Sequence, residues 1–144
     1  MSALVNTGKT QGARVVCGGK GVGGLVYAPT ILADVTPDME IFREEVFGPV
    51  VGVTKVSSDD EAITLANQTQ YGLAATLYCT DVSRAHRYAR KLKAGTVGVN
   101  NYSEGEISTP FGGYKASGFS GRDNGIHAHE QYTELKTIWF DLTA

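Results

Sequence analysis

The sequence has little of what marks a secreted, membrane-spanning or nucleic-acid-binding protein. Its 144 residues include only two cysteines, Cys17 and Cys79, far apart in the chain. Such thiols suit a reduced compartment better than a disulfide framework. No apolar run approaches the length of a membrane span. Acidic and basic residues nearly balance, 15 against 13, for a net charge of -2. Nucleic acid is therefore not an expected partner, because phosphate binding is driven by clustered cations. The opening "MSALVNTGKTQG" has neither a basic n-region nor an apolar h-region, so a cytoplasmic location is predicted. Tryptophan occurs once and proline four times. Glycine is the excess, with 18 residues against a usual share of about 7%, and tight turns are expected. Hydrophobic residues at 42% and charged ones at 19% describe an ordinary globular chain of about one domain.

The pattern along the chain predicts an α/β fold. Ser2 to Ala13 reads as a weakly amphipathic helix and "RVVC" after it as a short strand. "LVYAPTIL" is β-rich, and Pro29 confines it to an edge or an irregular strand. "PDMEIFR" can make one helical turn, and "PVVGVTKV" resumes strand character. Ser58 with Glu61 three residues on fits a capping box, which starts a helix there. "YGLAATLYCT" reads as a strand, "DVSRAHRYARKLKA" as a helix that Gly95 is placed to terminate, and "TVGVNN" as another strand. Strand, helix, strand, helix, strand from Pro49 to Asn100 implies a largely parallel sheet with flanking helices. Tyr102 to Asn124 is Gly- and Ser-rich without periodicity, a length of loop that usually carries function. The tail "YTELKTIWFDL" is β-prone.

Several motifs have plainer readings that win. "GGKGVGG" holds Gly19, Gly21 and Gly24 in a formal dinucleotide spacing, but the β-branched, proline-containing "LVYAPTIL" follows where a helix should open. A glycine-permitted hairpin or loose turn is expected instead. Arg84, Arg87, Arg90, Lys91 and Lys93 form a solvated helix face, with cations gathered toward its C-terminus as the helix dipole favours. His127 and His129 in "IHAHE" have too few companions for zinc, so no metal is expected. Cys17 and Cys79 sit in apolar strand patterns and do not read as nucleophiles. "GFSGR" fails the spacing of a nucleophile elbow. In "EEVFGPVV", a carboxylate can accept two hydrogen bonds from a diol such as a ribose, and Phe47 can offer a face to a planar ring. The alternative, which composition alone favours, makes Glu44 and Glu45 a solvated turn and Phe47 a core residue.

Taken together, "EEVFGPVV", "ANQTQYGLAATLYCTD", "LKAGTVGVNNY" and "PFGGYKASG", in this order and at these intervals, resemble the C-terminal part of the NAD(P)-dependent aldehyde dehydrogenase superfamily. The match runs from about Ala13 to the end. The resemblance implies that Glu45 hydrogen-bonds the nicotinamide-side ribose of NAD or NADP and that Phe47 lies beside the nicotinamide. Asn100 matches the asparagine of the family's strand-end "VN" motif. Ser103, Glu104, Glu106 and Phe111 fall where the family places its substrate-entrance loop. Residues 1–127 would belong to the catalytic domain, and residues 128–144 would form a tail whose strand joins a neighbouring subunit in a homo-oligomer. Family chains are several times longer, and their cysteine nucleophile, glutamate base and dinucleotide-binding domain lie upstream of everything matched here. The resemblance therefore implies a fragment that is inactive alone; the alternative is a stand-alone oligomerisation or interaction module. After "PFGGYK" the family commonly reads S-G-x-G-R-E, whereas "SGFSGRDN" is a residue longer before Arg122 and has Asp123 in place of glutamate. The end "HAHEQYTELKTIW" is similar to that of gamma-glutamyl-gamma-aminobutyraldehyde dehydrogenase-like members. Glu104 and Glu106 would suit a small, cationic aldehyde, since opposite charges steer encounter.

Overall fold

The structure, a computed structural model, describes residues 1–102 and 105–143. Two compact units divide the chain, Met1–Thr69 and Gln70–Ala144. The α/β class predicted from the sequence is borne out in both.

In the first unit, α1 (Ser2–Thr10) leads into β1 (Arg14–Cys17), a hairpin of β2 (Gly21–Gly23) and β3 (Val26–Tyr27), then β4 (Thr30–Ala33), α2 (Glu40–Arg43), β5 (Val50–Gly52) and α3 (Asp59–Ala66). The sheet order is β1-β4-β5, antiparallel between β1 and β4 and parallel between β4 and β5. The "GGKGVGG" segment makes the expected hairpin. Gly23 and Gly24 hold φ of 126° and 55° at its turn, values that side chains beyond glycine rarely take. Pro29, expected at an edge or in an irregular strand, instead precedes the central strand β4. It interrupts no ladder, because a proline just before a strand gives up a donor that no neighbour requires.

The core of this unit is small. Val5, Ala13, Tyr27, Leu32, Val35, Met39 and Ile41 are buried, with Phe42, Val46 and Val50 packed against them. A fully buried aliphatic side chain such as Leu32 contributes about 1.5–3 kcal/mol. Buried Thr30 is satisfied: its hydroxyl donates to the Ala28 carbonyl at 2.7 Å and accepts from the Gly19 N–H at 2.8 Å. Helix α3 starts where the sequence puts it, with the Ser58 hydroxyl accepting from the Glu61 N–H at 3.2 Å. The return half of the box is displaced by one residue. The Glu61 carboxylate accepts from both the backbone N–H and the hydroxyl of Ser57, at 2.7 and 2.6 Å.

In the second unit, β6 (Ala74–Leu77), α4 (Val82–Lys91) and β7 (Thr96–Val99) form a βαβ unit, with β6 and β7 parallel from Ala74↔Thr96 to Leu77↔Val99. The Asp81 carboxylate caps α4 by accepting the Arg84 N–H at 2.9 Å. Gly95 does not terminate α4, which ends on an extended Leu92. It serves close approach instead: a Cβ at Gly95 would lie 1.6 Å from the Gly112 carbonyl oxygen. Two 3-10 turns follow, α5 (Lys115–Ser117) and α6 (Ile126–Tyr132). Across the described residues the ladders are mixed, with two parallel and two antiparallel pairings in three separate sheets.

The β-prone tail forms no strand among the described residues 133–143. Leu135, Trp139, Phe140 and Leu142 are all exposed. A strand needs an edge to pair with, and propensity alone supplies none.

Candidate cofactor and substrate site

The segment Glu44 to Pro49 is set by what flanks it. Arg43 fixes its start, with Nε donating to the Pro37 carbonyl at 2.9 Å and Nη2 to that of Asp38 at 2.7 Å. Its end is fixed by the Pro49 carbonyl, which accepts the Thr30 N–H of β4 at 2.8 Å. Between these anchors Val46 packs on the core, and Glu45 and Phe47 face solvent. Phe47 is 87% exposed and holds a φ of 48°. The reading of Phe47 as a core residue is thus corrected: Val46 takes the inward place. A bulky residue at positive φ is uncommon and costs backbone energy that its surroundings must supply. Glu45 makes no hydrogen bond or ion pair among the described residues. An exposed carboxylate and a bare aromatic face, two residues apart, are free to meet a polyhydroxylated, planar-ringed ligand.

In the second unit the β7 strand ends at Asn100, whose N–H donates to the Leu77 carbonyl at 2.8 Å. Its carboxamide Oδ1 accepts the Cys79 N–H, and its Nδ2 donates to the Cys79 carbonyl, each at 2.8 Å. The φ of 55° at Asn100 turns the chain out of the sheet; asparagine tolerates this region better than most residues. Sequence reasoning placed Asn100 at a strand end and missed this clamp, whose only signal is an asparagine directly after an apolar run. A pocket of about 180 Å³ opens here, lined by Cys79, Val82, Ala85, His86, Val99 and Asn100 among others. Both thiols are free.

Of the four residues assigned to a substrate entrance, Ser103 and Glu104 lie outside the described residues. Glu106 opens a turn in which the Thr109 hydroxyl donates to its carbonyl at 2.7 Å and accepts its N–H at 3.1 Å, and the residue is exposed. Phe111 is half-buried and pairs antiparallel with Asp123, with both N–H to carbonyl distances 2.7 Å. The glycine-rich loop is seated on residues 70–72. The Gly72 carbonyl accepts the N–H groups of Gly95 and Tyr114 at 3.0 and 2.8 Å, and the Ser117 hydroxyl accepts the Gly72 N–H at 3.1 Å. His127 has Nδ1 3.8 Å from the Glu130 carboxylate and is exposed. Glu45 and Phe47 belong to the first unit, and Glu106 and Phe111 to the second.

The profile of the aldehyde dehydrogenase family matches residues 1–138. The chain belongs to the aldehyde dehydrogenase family. It is 48% identical over 142 residues to the NADP/NAD-dependent aldehyde dehydrogenase PuuC of Escherichia coli, covering 99% of this chain and 28% of that protein. With the aminoacetaldehyde dehydrogenase of Pseudomonas aeruginosa it shares 50% identity over 141 residues, 98% of this chain and 28% of the relative. The solved NAD+ complex of an aldehyde dehydrogenase from Bacillus cereus superposes with a TM-score of 0.92 at 43% identity, over 99% of this chain and 29% of that one. The chain thus spans under a third of the length of the relatives it matches. Among its described residues no helix is long and apolar enough to cross a membrane.

Proposed function

We propose that this chain is the C-terminal part of an NAD(P)-dependent aldehyde dehydrogenase and that each of its two units contributes residues to that enzyme's binding of cofactor or substrate. In this reading an aldehyde, NAD(P)+ and water become a carboxylate, NAD(P)H and two protons. When bound, the nicotinamide supplies the hydride acceptor. Glu45 accepts hydrogen bonds from the adjoining ribose hydroxyls, and Phe47 confines the ring from one side. The observation that carries the reading is the pair of Glu45 and Phe47, both exposed, with the aromatic held at positive φ beside a partnerless carboxylate. These residues fit the cofactor, since a diol and a flat ring ask for those two groups.

Residues 1–127 are assigned to the catalytic domain, organised in the whole enzyme around a largely parallel sheet with flanking helices. Ser103, Glu104, Glu106 and Phe111 border the substrate entrance. The acidic pair suits an aldehyde bearing a positive charge, of the gamma-glutamyl-gamma-aminobutyraldehyde or amino-aldehyde kind; similarity to a relative named for aminoacetaldehyde supports this class. Residues 128–144 are assigned to homo-oligomerisation, by adding a strand to a partner's sheet in the cytoplasm. The cysteine nucleophile is assigned to the remainder of the enzyme, and the chain alone is inactive.

The test grafts this chain onto the upstream part of the Escherichia coli relative. The graft should form NADH from aminoaldehydes and the chain alone none. E45Q in the graft should raise the KM for NAD+ about tenfold, since hydrogen bonds to a charged group are worth about 1.5–3 kcal/mol. NADH formed by the chain alone, or an E45Q graft with an unchanged KM for NAD+, would sink the proposal.

A further inference from the structure

The side chain of Gln131, late in α6, reaches back across the loop before it. Its Nε2 donates to the Arg122 carbonyl at 3.0 Å and to Asp123 Oδ1 at 2.7 Å. Asp123 in turn exchanges both backbone hydrogen bonds with Phe111, at 2.7 Å each. Gln131 also fills the space over Gly121, where an added Cβ would meet its Oε1 at 2.3 Å. A pocket of about 270 Å³ is lined by Leu73, Phe111, Ser117, Phe119, Asp123 and Gln131 among others, so the clamp and the aromatic face one hollow. After Tyr132, residues 133–143 follow.

We propose that Gln131 is a positioning residue: by holding Arg122 and Asp123 it fixes the two-residue bridge that sets Phe111, and it ties Phe111 to the start of the tail. The inference rests on the reading of Phe111 as part of the substrate entrance. The carboxylate of Asp123 makes the clamp directional, because a charged acceptor strengthens the bond it receives.

The test uses the full-length graft. Q131A should raise the KM for the aldehyde about fivefold while kcat and the KM for NAD+ stay within twofold. D123A, which leaves the bond to the Arg122 carbonyl, should raise the aldehyde KM less, and the double variant Q131A/D123A should be no worse than Q131A alone, because the Gln131–Asp123 bond is already lost there. Q131E should be more impaired at pH 8 than at pH 5, where its carboxyl begins to protonate and can again donate to Asp123. An aldehyde KM unmoved in Q131A, a rise equal for aldehyde and NAD+, or additive effects in the double variant would overturn the positioning role. A parent graft that oxidises no aldehyde would instead overturn the functional reading on which it stands.

Discussion

The carboxamide of Asn100 completes the end of the β6–β7 pair by exchanging two hydrogen bonds with the backbone of Cys79, each 2.8 Å long. A side chain here does what the next strand residue would otherwise do, since β7 has already turned away at φ 55°. The main chain of Cys79 is thereby satisfied without another strand.

Replacing Asn100 separates the two parts of that arrangement. N100A loses both hydrogen bonds and keeps a Cβ at positive φ, so its loss should be about 2 kcal/mol. N100G loses the bonds but is at ease at that φ, and its loss should be about 1 kcal/mol. Equilibrium urea unfolding reads the order. Equal stability of N100A and the unmodified chain would refute the clamp, and N100G below N100A would refute the cost of the positive φ.

Val46 and Phe47 invert the usual rule that the larger apolar residue matters more to stability. Val46 packs on the core, whereas Phe47 is 87% exposed. V46A should cost about 1 kcal/mol, as removal of partly buried methyl groups does. F47A should change stability by less than about 0.5 kcal/mol, as for a surface site. In the full-length graft, however, F47A should weaken NAD+ binding several-fold. Thermal melts and cofactor titration together check this, and a strongly destabilised F47A would return Phe47 to the core.

These contrasts show which parts of the molecule its sequence announces. The Ser58 cap, the Asp81 start of α4 and the glycine hairpin depend on residues within a few positions of one another, and their side-chain chemistry is readable in order. Pro29 and Gly95 carry local signals too, yet their roles are decided by distant neighbours: β5 makes β4 central, and Gly112 packs on Gly95. The inward turn of Val46 in place of Phe47 follows from a backbone angle that no composition encodes. Gln131 was invisible because its partners, Arg122 and Asp123, lie on the far side of a turn of irregular length.

Glu61 should respond to pH in a defined direction. The side-chain and backbone hydrogen bonds from Ser57 hold its carboxyl below the ordinary value of 4.5. A depressed folded pKa means stabilisation that is present above the unfolded value and is lost as pH falls through the folded one. Helix α3 should therefore loosen only below the ordinary glutamate range. Carbon-detected titration should show Glu61 below 4.5 in the native chain, and S57A should move it back up by removing the hydroxyl donor. A titration at the ordinary value in both proteins would rule the contact out.

The single tryptophan offers a direct reading of the tail. Trp139 is 88% exposed, and Leu135, Phe140 and Leu142 beside it are equally uncovered. Residues of this kind in sequence tend to find a partner, because an unpaired extended segment presents both apolar side chains and free backbone donors and acceptors. In dilute chain alone, Trp139 should emit as a solvated indole and be quenched readily by iodide. In the full-length graft the same residue should be shielded, with blue-shifted emission, and W139A should shift the assembly toward smaller species in sedimentation. The change should track protein concentration, since association is governed by mass action. If Trp139 stays open to iodide in the assembled graft, or if W139A leaves the assembly size unaltered, the tail does not make the subunit contact and the oligomerisation assignment of residues 128–144 fails with it.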